Sequence, residues 1–207
     1  MKILFACGGT AGHINPALAV ANYIKTRRPQ TEILFVGNPK GMEARLVPEA
    51  GFAFAPIEIM GIQRQLNWFN IKYNFRAVGC LALAPGRSRR LIRAFAPDVM
   101  VGTGGYVSGP VLREGAKLGI PTLTHESNAF PGVTTRLLAR YVDKVLLAVE
   151  DARRFLPKGA EYVVTGNPVR EQIVFADREA ARKILGVGDR ICIVSFGGSL
   201  GARRINE

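Results

Sequence analysis

Short apolar runs alternate along this chain with longer stretches in which apolar residues recur every three or four positions. The short runs have the length and composition of buried strands, whereas the longer stretches have the period of amphipathic helices. This alternation is typical of an α/β fold, a Rossmann-like parallel sheet with flanking helices. Strands are predicted at residues 2–6, 32–36, 53–57, 99–101, 122–124, 144–148, 162–164 and 190–195.

The first helix is predicted to begin at Asn15 and Pro16, because Asn is a favoured N-cap and Pro is tolerated in the first turn. It is expected to end near Arg28, before Pro29. Further helices are predicted at residues 41–50, 109–118, 132–140 and 177–185, and a helical amphipathic stretch lies within residues 60–93.

Three glycine-rich turns each follow a predicted strand, at residues 8–13, 102–110 and 197–202. A strand, a glycine turn and a helix leave backbone N–H groups and a positive helix end directed at one spot, and this arrangement binds phosphates. Glycine turns also serve ordinary strand-to-helix packing. Three copies, one with a histidine and one with a serine, predict a site for a phosphorylated substrate.

The first turn does not match the two best-known phosphate motifs. It lacks the GxGxxG fingerprint, and no acidic residue follows the second strand at Val36-Gly37-Asn38 to hold a ribose. A P-loop is excluded because no Lys-Ser/Thr pair follows the glycines. The turn therefore predicts a close backbone approach to a ligand, with His13 at the edge where open α/β sheets bind ligands.

Four polar residues are candidates for chemistry. His13 can act as a proton acceptor near neutral pH, or it can cap or pack the helix start. His125 follows a predicted buried strand and can simply bond to nearby backbone. Asn128 can bond a sugar hydroxyl or hold a turn, and Glu126 can orient a histidine or pair with a surface arginine.

The chain has 207 residues, 48% of them hydrophobic, which suits one large domain or one domain and part of another. Its net charge is +12, and residues 59–97 hold seven basic residues and no acidic one. Such a surface suits nucleic acid, anionic lipid or a phosphorylated ligand, or is merely a solvated basic face. No nucleic-acid-binding motif is present, so no nucleic-acid partner is expected.

Aromatic and apolar residues alternate with cations in the stretch from residue 60 to residue 93. This combination suits the surface of an anionic membrane, and the alternative is an ordinary amphipathic core helix. The predicted membrane patch consists of Arg64, Leu66, Trp68, Phe69, Lys72, Phe75 and Arg76.

The cysteines and the absence of long apolar segments predict a cytoplasmic protein. Cys7, Cys80 and Cys192 form no CxxC pair and are expected to be small buried apolar residues in a reducing compartment. No stretch reaches the roughly 18 apolar residues of a spanning helix.

A domain boundary is predicted near Thr165-Gly166-Asn167-Pro168, where Gly and Pro interrupt the pattern. Residues 1–164 would form the first domain, and residues 165–207 a linker and the start of a second. The strand predicted at residues 190–195 either opens that second domain or docks on the first sheet.

Several separate motifs, in order along nearly the whole chain, carry a family resemblance. The chain resembles the MurG-type UDP-N-acetylglucosamine transferases of glycosyltransferase family 28, which convert lipid I to lipid II in peptidoglycan synthesis. The motifs are Gly8-Gly9-Thr10-Ala11-Gly12-His13 with Pro16-Ala17-Leu18-Ala19, Gly104-Gly105-Tyr106-Val107-Ser108-Gly109-Pro110, His125-Glu126-Ser127-Asn128-Ala129, Pro131-Gly132, Thr165-Gly166-Asn167-Pro168-Val169-Arg170 and Gly197-Gly198-Ser199-Leu200-Gly201-Ala202.

The resemblance implies a GT-B fold, two Rossmann-like domains facing each other across a cleft. The first domain would bind the lipid-linked acceptor and the second most of the UDP-sugar, in an inverting reaction that needs no metal or other cofactor. By motif, His13 is the candidate base for the acceptor hydroxyl. The implied donor contacts are Thr10, Ala11, Gly12, Asn128, Arg170 and Ser199, and the implied acceptor diphosphate site is Gly104, Gly105, Tyr106, Ser108 and Gly109.

The resemblance also implies partners and a location. UDP-N-acetylglucosamine and lipid I would be the substrates, and the protein would be peripheral on the cytoplasmic face of the plasma (inner) membrane. Proteins of cell-wall synthesis, cell shape and cell division are expected partners of such an enzyme.

This sequence departs from the family at Ala11, where glycine is usual, at Ser127, where glutamine is usual, and in length. By this resemblance the 207 residues would lack most of the donor domain, so they are expected to be inactive alone. Two alternatives remain open. One is a non-catalytic membrane-associated module that binds the acceptor and works with a separate donor-binding chain, and the other is a lipid glycosyltransferase acting on diacylglycerol.

Overall fold

The computed structural model describes residues 1–61, 68–195 and 197, except for the side chains of residues 68–73 and 76. The described residues form one sheet of seven parallel strands in the order β3-β2-β1-β4-β5-β6-β7. The strands are β1 (Lys2–Ala6), β2 (Glu32–Gly37), β3 (Ala53–Pro56), β4 (Val99–Gly102), β5 (Thr122–Glu126), β6 (Lys144–Leu147) and β7 (Tyr162–Val164). The predicted Rossmann-like α/β fold is confirmed, with seven of the eight predicted strands.

The order of the strands fixes where a ligand can bind. The chain builds outward from β1 through β2 to β3, then crosses back and continues from β4 to β7 on the other side of β1. Adjacent loops therefore leave the carboxyl ends of β1 and β4 in opposite directions, which opens a crevice at this switch point. The first and second glycine turns follow these two strands.

Helices cover both faces of the sheet. They are α1 (Ala11–Arg27), α2 (Glu43–Glu49), α3 (Trp68–Phe95), α4 (Ser108–Lys117), α5 (Val133–Leu138), α6 (Glu171–Val174) and α7 (Arg178–Leu185), with a 3-10 helix at Glu150–Phe155. Residues 62–67, at the start of the predicted amphipathic stretch, lie outside the described residues.

The predicted start of α1 at Asn15 is wrong. Thr10 is the N-cap in extended conformation, and its carbonyl accepts the N–H groups of His13 and Ile14. Pro16 lies inside the helix, where its missing N–H removes a single backbone bond near the N-terminus. The earlier start matters because it places His13 on the first turn of the helix, at the carboxyl edge of the sheet.

Alternation along β1 divides the core between the two faces of the sheet. Ile3 and Phe5 are buried on one face, where Phe5 stacks on Phe35 at 5.0 Å between ring centroids. Leu4 and Ala6 are buried on the other face. Since β1 is buried on both sides, its sequence is a continuous apolar run, as expected for a central parallel strand.

A buried carboxylate fixes α3 against α4. Glu114, 1% exposed, accepts from Arg89 at 2.8 Å and from Lys117 at 3.0 Å. Burial raises the pKa of the Glu114 carboxyl, but the two cations outweigh it and hold the pKa below its ordinary value.

Residues 169–195, which we call the tail, lie outside the sheet. The strand predicted at residues 190–195 is not formed, because its backbone pairs with no neighbouring strand. None of residues 169–195 is buried, and Ile191 and Ile193 are 93% and 88% exposed. Residues 2–164, which contain the whole sheet, are called the body.

Two findings bear on the expected compartment and membrane contact. Cys7 is buried and Cys80 half-buried, but Cys192 is exposed in the tail, so the prediction of three buried cysteines is wrong there. No helix within residues 1–61 and 68–195 is both long enough and apolar enough to cross a membrane.

Candidate functional site

A cleft of about 140 Å³ opens at the carboxyl edge of the sheet, on the β4–β5 side of the switch point. It brings together residues that follow three different strands, with the first turn of α5 as its far wall. Its lining consists of His13, Thr103, Gly104, Gly105, Tyr106, His125, Glu126, Asn128, Gly132, Val133, Thr134 and Thr135.

His13 is held by two hydrogen bonds to Thr103. Its ring Nδ1 lies 3.1 Å from the Thr103 carbonyl oxygen, and the Thr103 hydroxyl donates to the His13 carbonyl at 2.6 Å. A carbonyl only accepts, so Nδ1 carries the proton and Nε2 of the neutral ring keeps a free lone pair. The half-buried side chain lining the cleft is thereby oriented as a proton acceptor.

Two glycines let the first and second turns touch. Gly104 and Gly105 have φ values of +105° and +83°, a region that side chains disfavour. A Cβ on Gly104 would collide with the His13 ring, and a Cβ on Gly105 would collide with the Gly8 carbonyl. These glycines are therefore required for the position of His13 as well as for the turn itself.

The first turn is held by a buried carboxylate that the sequence analysis missed. Glu43 of α2 is fully buried and accepts the N–H groups of Gly9 at 3.2 Å and Asn38 at 2.8 Å. The Gly9 N–H is thus already paired, which corrects the expectation that the backbone donors of this turn are free for a phosphate. The available signal was the spacing of Glu43 and Val47, which share the buried face of α2 four residues apart.

Glu43 also affects its surroundings electrostatically. Burial, with a further contribution from the Glu43 charge, raises the pKa of the Cys7 thiol to about 12. The Glu43 charge disfavours a phosphate against the backbone of Gly8 and Gly9, and leaves the cleft on the β4–β5 side as the better place for the acceptor diphosphate.

His125 bonds to backbone, as one of its two interpretations expected, but the partner is remote in sequence. Its Nε2–H donates to the Gly166 carbonyl at 3.1 Å, while Nδ1 is buried without a hydrogen-bond partner among the described residues. Burial lowers the pKa of the imidazole, against the opposing effects of the Gly166 bond and the Glu126 charge. His125 therefore joins the cleft to the segment that follows β7.

Glu126 organises the loop between β5 and α5. Its Oε1 accepts the backbone N–H and side-chain Nδ2–H of Asn128 at 3.0 and 2.7 Å. Its Oε2 accepts the N–H of Gly132 at 2.9 Å and the hydroxyl of Thr135 at 2.6 Å. Burial raises the pKa of this carboxyl, but these hydrogen bonds outweigh it and hold the pKa below its ordinary value. Neither expected role, orienting a histidine or pairing with a surface arginine, describes these contacts.

The expected acceptor-diphosphate residues are only partly available to a ligand. Tyr106 lines the cleft and accepts from the Asn38 amide at 3.4 Å. Ser108 is fully buried, and its hydroxyl oxygen lies 2.6 and 2.7 Å from the carbonyl oxygens of Ala6 and Gly104, which share its single proton. The expectation that Ser108 contacts the diphosphate does not fit this placement. Gly109 is half-buried at the start of α4, with the side chain of Thr134 beside it.

The expected donor contacts are not all brought together. Thr10, Ala11 and Gly12 lie at the start of α1, and Asn128 lines the cleft. Arg170 is exposed at the N-cap of α6 and does not line the cleft. Ser199, with the rest of the third glycine turn beyond Gly197, lies outside the described residues.

The expected membrane patch is only partly described. Arg64 and Leu66 lie outside the described residues, as do the side chains of Trp68, Phe69, Lys72 and Arg76 on α3. Phe75 on the same helix is 78% exposed. The described part of α3 continues this exposed apolar surface with Val78 and Leu83, and follows it with Arg89, Arg90 and Arg93.

Comparison with solved structures supports the fold. The crystal structure of Acinetobacter baumannii MurG matches with a TM-score of 0.63 and 31% identity, over 83% of this chain and 46% of that one. The UDP-GlcNAc 2-epimerase from Neisseria meningitidis, solved with UDP-GlcNAc bound, matches with a TM-score of 0.56 over 90% of this chain and 55% of that one. At 14% identity the epimerase shows a shared fold alone.

Comparison with curated sequences gives the family. UDP-N-acetylglucosamine–N-acetylmuramyl-(pentapeptide) pyrophosphoryl-undecaprenol N-acetylglucosamine transferases match over the whole chain, at 46% identity in Acetivibrio thermocellus and 48% in Ruminiclostridium cellulolyticum. The chain spans about half the length of these relatives, 55% and 56%. The model of the glycosyltransferase family 28 N-terminal domain matches residues 3–147. The chain therefore belongs to glycosyltransferase family 28.

Proposed function

We propose that this chain is the acceptor-side half of an inverting transferase that moves N-acetylglucosamine from UDP-N-acetylglucosamine to lipid I and so forms lipid II in peptidoglycan synthesis. The family and the names of the relatives support the reaction and its substrates. The cleft at the switch point supports the assignment of the site to this half.

The orientation of His13 is the observation that carries the proposal. Its Nδ1–H is engaged by the Thr103 carbonyl, so the lone pair of Nε2 is the group available for proton transfer. The N-terminus of α4, whose backbone dipole favours negative charge, begins at Ser108 beyond the second glycine turn. A base and the glycine turn that leads into α4 line one small cleft, and this combination suits a neutral sugar hydroxyl that is linked to a diphosphate.

In the proposed reaction, His13 Nε2 removes the proton from the acceptor hydroxyl as its oxygen attacks the anomeric carbon of N-acetylglucosamine. The new glycosidic bond forms on the face opposite UDP, the bond to the β-phosphate oxygen breaks with its electron pair, and UDP leaves. His13 retains the proton until solvent removes it. Inversion follows from this geometry, because a single displacement occurs.

The remaining site residues are assigned by motif. We place the acceptor diphosphate against Gly104, Gly105, Tyr106 and Gly109, and leave Ser108 as a structural residue of the turn. Thr10, Ala11, Gly12 and Asn128 would meet the donor from this half, with Arg170 and Ser199 closing on it from the segment that follows. No metal is required at the donor site, since fixed positive groups would stabilise the departing phosphate.

The two-domain division remains part of the proposal. Residues 1–164 would be the acceptor domain, and residues 165–207 the linker and the start of the donor domain. The exposed apolar side chains of the tail, such as Phe175 at 78% and Ile184 at 84%, support a role in a further core. Little or no turnover is expected from the 207 residues alone.

We place the enzyme peripherally on the cytoplasmic face of the plasma membrane, with α3 against the lipid. Exposed Phe75, Val78 and Leu83 would enter the interface, and exposed Arg90 and Arg93 would meet anionic headgroups. We expect the enzyme to contact proteins of cell-wall synthesis and division at the same membrane surface. Sedimentation with vesicles tests the location, since binding should require anionic lipid and weaken with salt.

The reaction is tested with a short-chain lipid I analogue and radiolabelled UDP-N-acetylglucosamine. We expect the 207-residue chain to bind the analogue without turnover. A chimera in which residues 1–164 replace the matching part of the Acetivibrio thermocellus relative should transfer the sugar. His13→Ala in the chimera should lower the rate about 10²–10⁴-fold, the usual contribution of a general base. Lys144→Ala, on an exposed position of β6, serves as the matched control.

Two results would count against the proposal. One is a chain that does not bind the lipid I analogue. The other is a chimera whose rate is unchanged by His13→Ala, because the proton acceptor would then lie elsewhere.

A further inference from the structure

Glu126 meets four hydrogen-bond donors and no acceptor. Its two oxygens take the backbone N–H and Nδ2–H of Asn128, the N–H of Gly132 and the hydroxyl of Thr135, all between 2.6 and 3.0 Å. An ionised carboxylate only accepts, so four donors fully match its charge. At 4% exposure, Glu126 has little contact with solvent and no spare capacity for a ligand.

This arrangement settles which end of the Asn128 amide faces inward. Turning the amide over would place Oδ1 against Glu126 Oε1, two groups that both accept, in a site with little water to separate them. Nδ2 therefore stays on the carboxylate, at 2.7 Å, and Oδ1 is left without a partner among the described side chains. Asn128 itself is exposed and lines the cleft.

We propose that Glu126 is a positioning residue that locks the amide of Asn128 with its Oδ1 oxygen available to the ligand. The ligand group received there is then a donor, a hydroxyl or amide N–H of the transferred sugar, and not a phosphate oxygen. The inference rests on the proposed function, since it takes the sugar nucleotide as the ligand. It gives Glu126 and Asn128 a shared role in distinguishing the sugar from the rest of the nucleotide.

The role of Glu126 differs from that of the glycine turns in the same cleft. The turn at Gly104 and Gly105 offers backbone to an anion, whereas the Glu126 carboxylate adds a buried negative charge below Asn128. A phosphate bound next to Asn128 would be repelled by the partial negative charge of Oδ1 and by the carboxylate of Glu126 behind it. A neutral sugar avoids both repulsions, and its hydroxyl groups can donate hydrogen bonds to Oδ1.

The test uses the chimera that carries residues 1–164 of this chain, because it contains the donor-binding part of the relative, and two probes, UDP-N-acetylglucosamine and UDP, with binding followed by titration calorimetry. The dissociation constant of UDP divided by that of UDP-N-acetylglucosamine isolates the contribution of the sugar. We expect Asn128→Ala to lower this ratio about tenfold, the effect of losing one hydrogen bond. Glu126→Gln, which replaces one accepting oxygen by a donor, should lower it similarly while leaving UDP binding unchanged. Glu150→Gln, on the exposed 3-10 helix, is the control for the chemical change.

The double variant separates positioning from a merely structural role. If Glu126 acts through Asn128, Glu126→Gln should have no further effect on the ratio once Asn128 is alanine. If Glu126 had only a structural role, Glu126→Gln would weaken the binding of both probes alike. Its loss of binding free energy would then add to the loss caused by Asn128→Ala. Additive losses, or equal binding of the two probes to the chimera with Glu126 and Asn128 unchanged, would overturn the inference.

A second readout needs no ligand. The side-chain amide protons of Asn128, identified by their loss in Asn128→Ala, should exchange slowly with solvent in the unmodified chain and rapidly in Glu126→Gln. Rapid exchange in the unmodified chain would show that the amide is not locked, and would reject the inference. Failure of the proposed reaction would appear differently, as a chain that does not bind the lipid I analogue.

Discussion

The body and the tail are made of similar residues but have opposite structures. In the body, Phe35 and Leu4 have no exposed surface, whereas Phe175 and Ile191 in the tail are 78% and 93% exposed. An apolar run becomes a strand only where neighbouring strands take up its backbone groups, and an apolar side chain is buried only where a second surface covers it. The difference lies in the available partners and not in the local sequence.

Polar groups follow the same division. Hydrogen bonds in the body join residues far apart in sequence, as between His13 and Thr103 or Ser108 and Ala6. Those of the tail stay local, as between Arg182 and the carbonyl of Gly188. Long-range bonds make the body cooperative, and a region held by local bonds alone is expected to unfold by itself at low cost.

The largest difference in stability is expected between alanine substitutions at two phenylalanines, one in the body and one in the tail. Phe35→Ala opens a cavity beneath Phe5 and Phe52 and should cost about 3–5 kcal/mol of unfolding free energy. Phe175→Ala removes a side chain that contacts mainly solvent, and should change stability by less than about 0.5 kcal/mol. Urea denaturation followed by circular dichroism measures both. Equal losses would mean that the tail is packed in solution.

Alanine substitutions at two glutamates, one in the body and one in the tail, should also differ in their cost to stability. Glu43→Ala leaves the N–H groups of Gly9 and Asn38 unpaired, at a cost of about 1–3 kcal/mol for each donor that water does not reach. Glu179→Ala, in the first turn of α7, should cost only a few tenths of a kcal/mol, the scale of a carboxylate near an exposed helix N-terminus. Glu43→Gln keeps one accepting oxygen and should fall between them. The urea denaturation midpoints of the three variants measure these losses. An unchanged midpoint in Glu43→Ala would contradict the assigned role of this carboxylate.

A smaller effect is expected from acid. Burial lowers the pKa of His125 from its ordinary 6.5, so the unfolded chain takes up a proton at a pH where the folded chain does not. Stability should therefore fall as the pH drops below about 6.5, by at most about 1.4 kcal/mol per pH unit for one proton. His125→Gln retains a donor for the Gly166 carbonyl and should flatten this slope. Glu126 and Glu114, whose pKa values are lowered from 4.5, should add a second loss in stronger acid.

An unchanged slope in His125→Gln would show that another group carries the pH dependence. The measurement is the urea midpoint at several pH values between 7 and 3. The second loss is separated from the first by its lower pH range, because carboxylates with lowered pKa values stabilise the fold until they are protonated.

Sequence patterns predicted the body well because each strand of a central parallel sheet is marked by its own apolar run. They also located His13, Gly104 and Asn128, since the glycine turns follow strands whose carboxyl ends must meet. They failed where the answer depended on a partner remote in sequence. The strand expected at residues 190–195 has no neighbour, and Glu43 and Ser108 look like ordinary helix residues until the fold brings Gly9 and Ala6 beside them.

The smallest effect is expected at the cap of α7. Asp177 accepts the Ala180 N–H at 2.7 Å, and Asp177→Ala should weaken this helix by about 1 kcal/mol without changing the urea denaturation midpoint of the body.

The matched control in the body is Asp143, which accepts the N–H and hydroxyl of Thr122 at 2.7 and 3.0 Å. Asp143→Ala should lower the midpoint, because its partner belongs to β5. Amide exchange at Ala180 should accelerate only in Asp177→Ala. If that variant also lowered the midpoint of the body, the tail would be coupled to the sheet in solution, and the contrast between the two regions would fail.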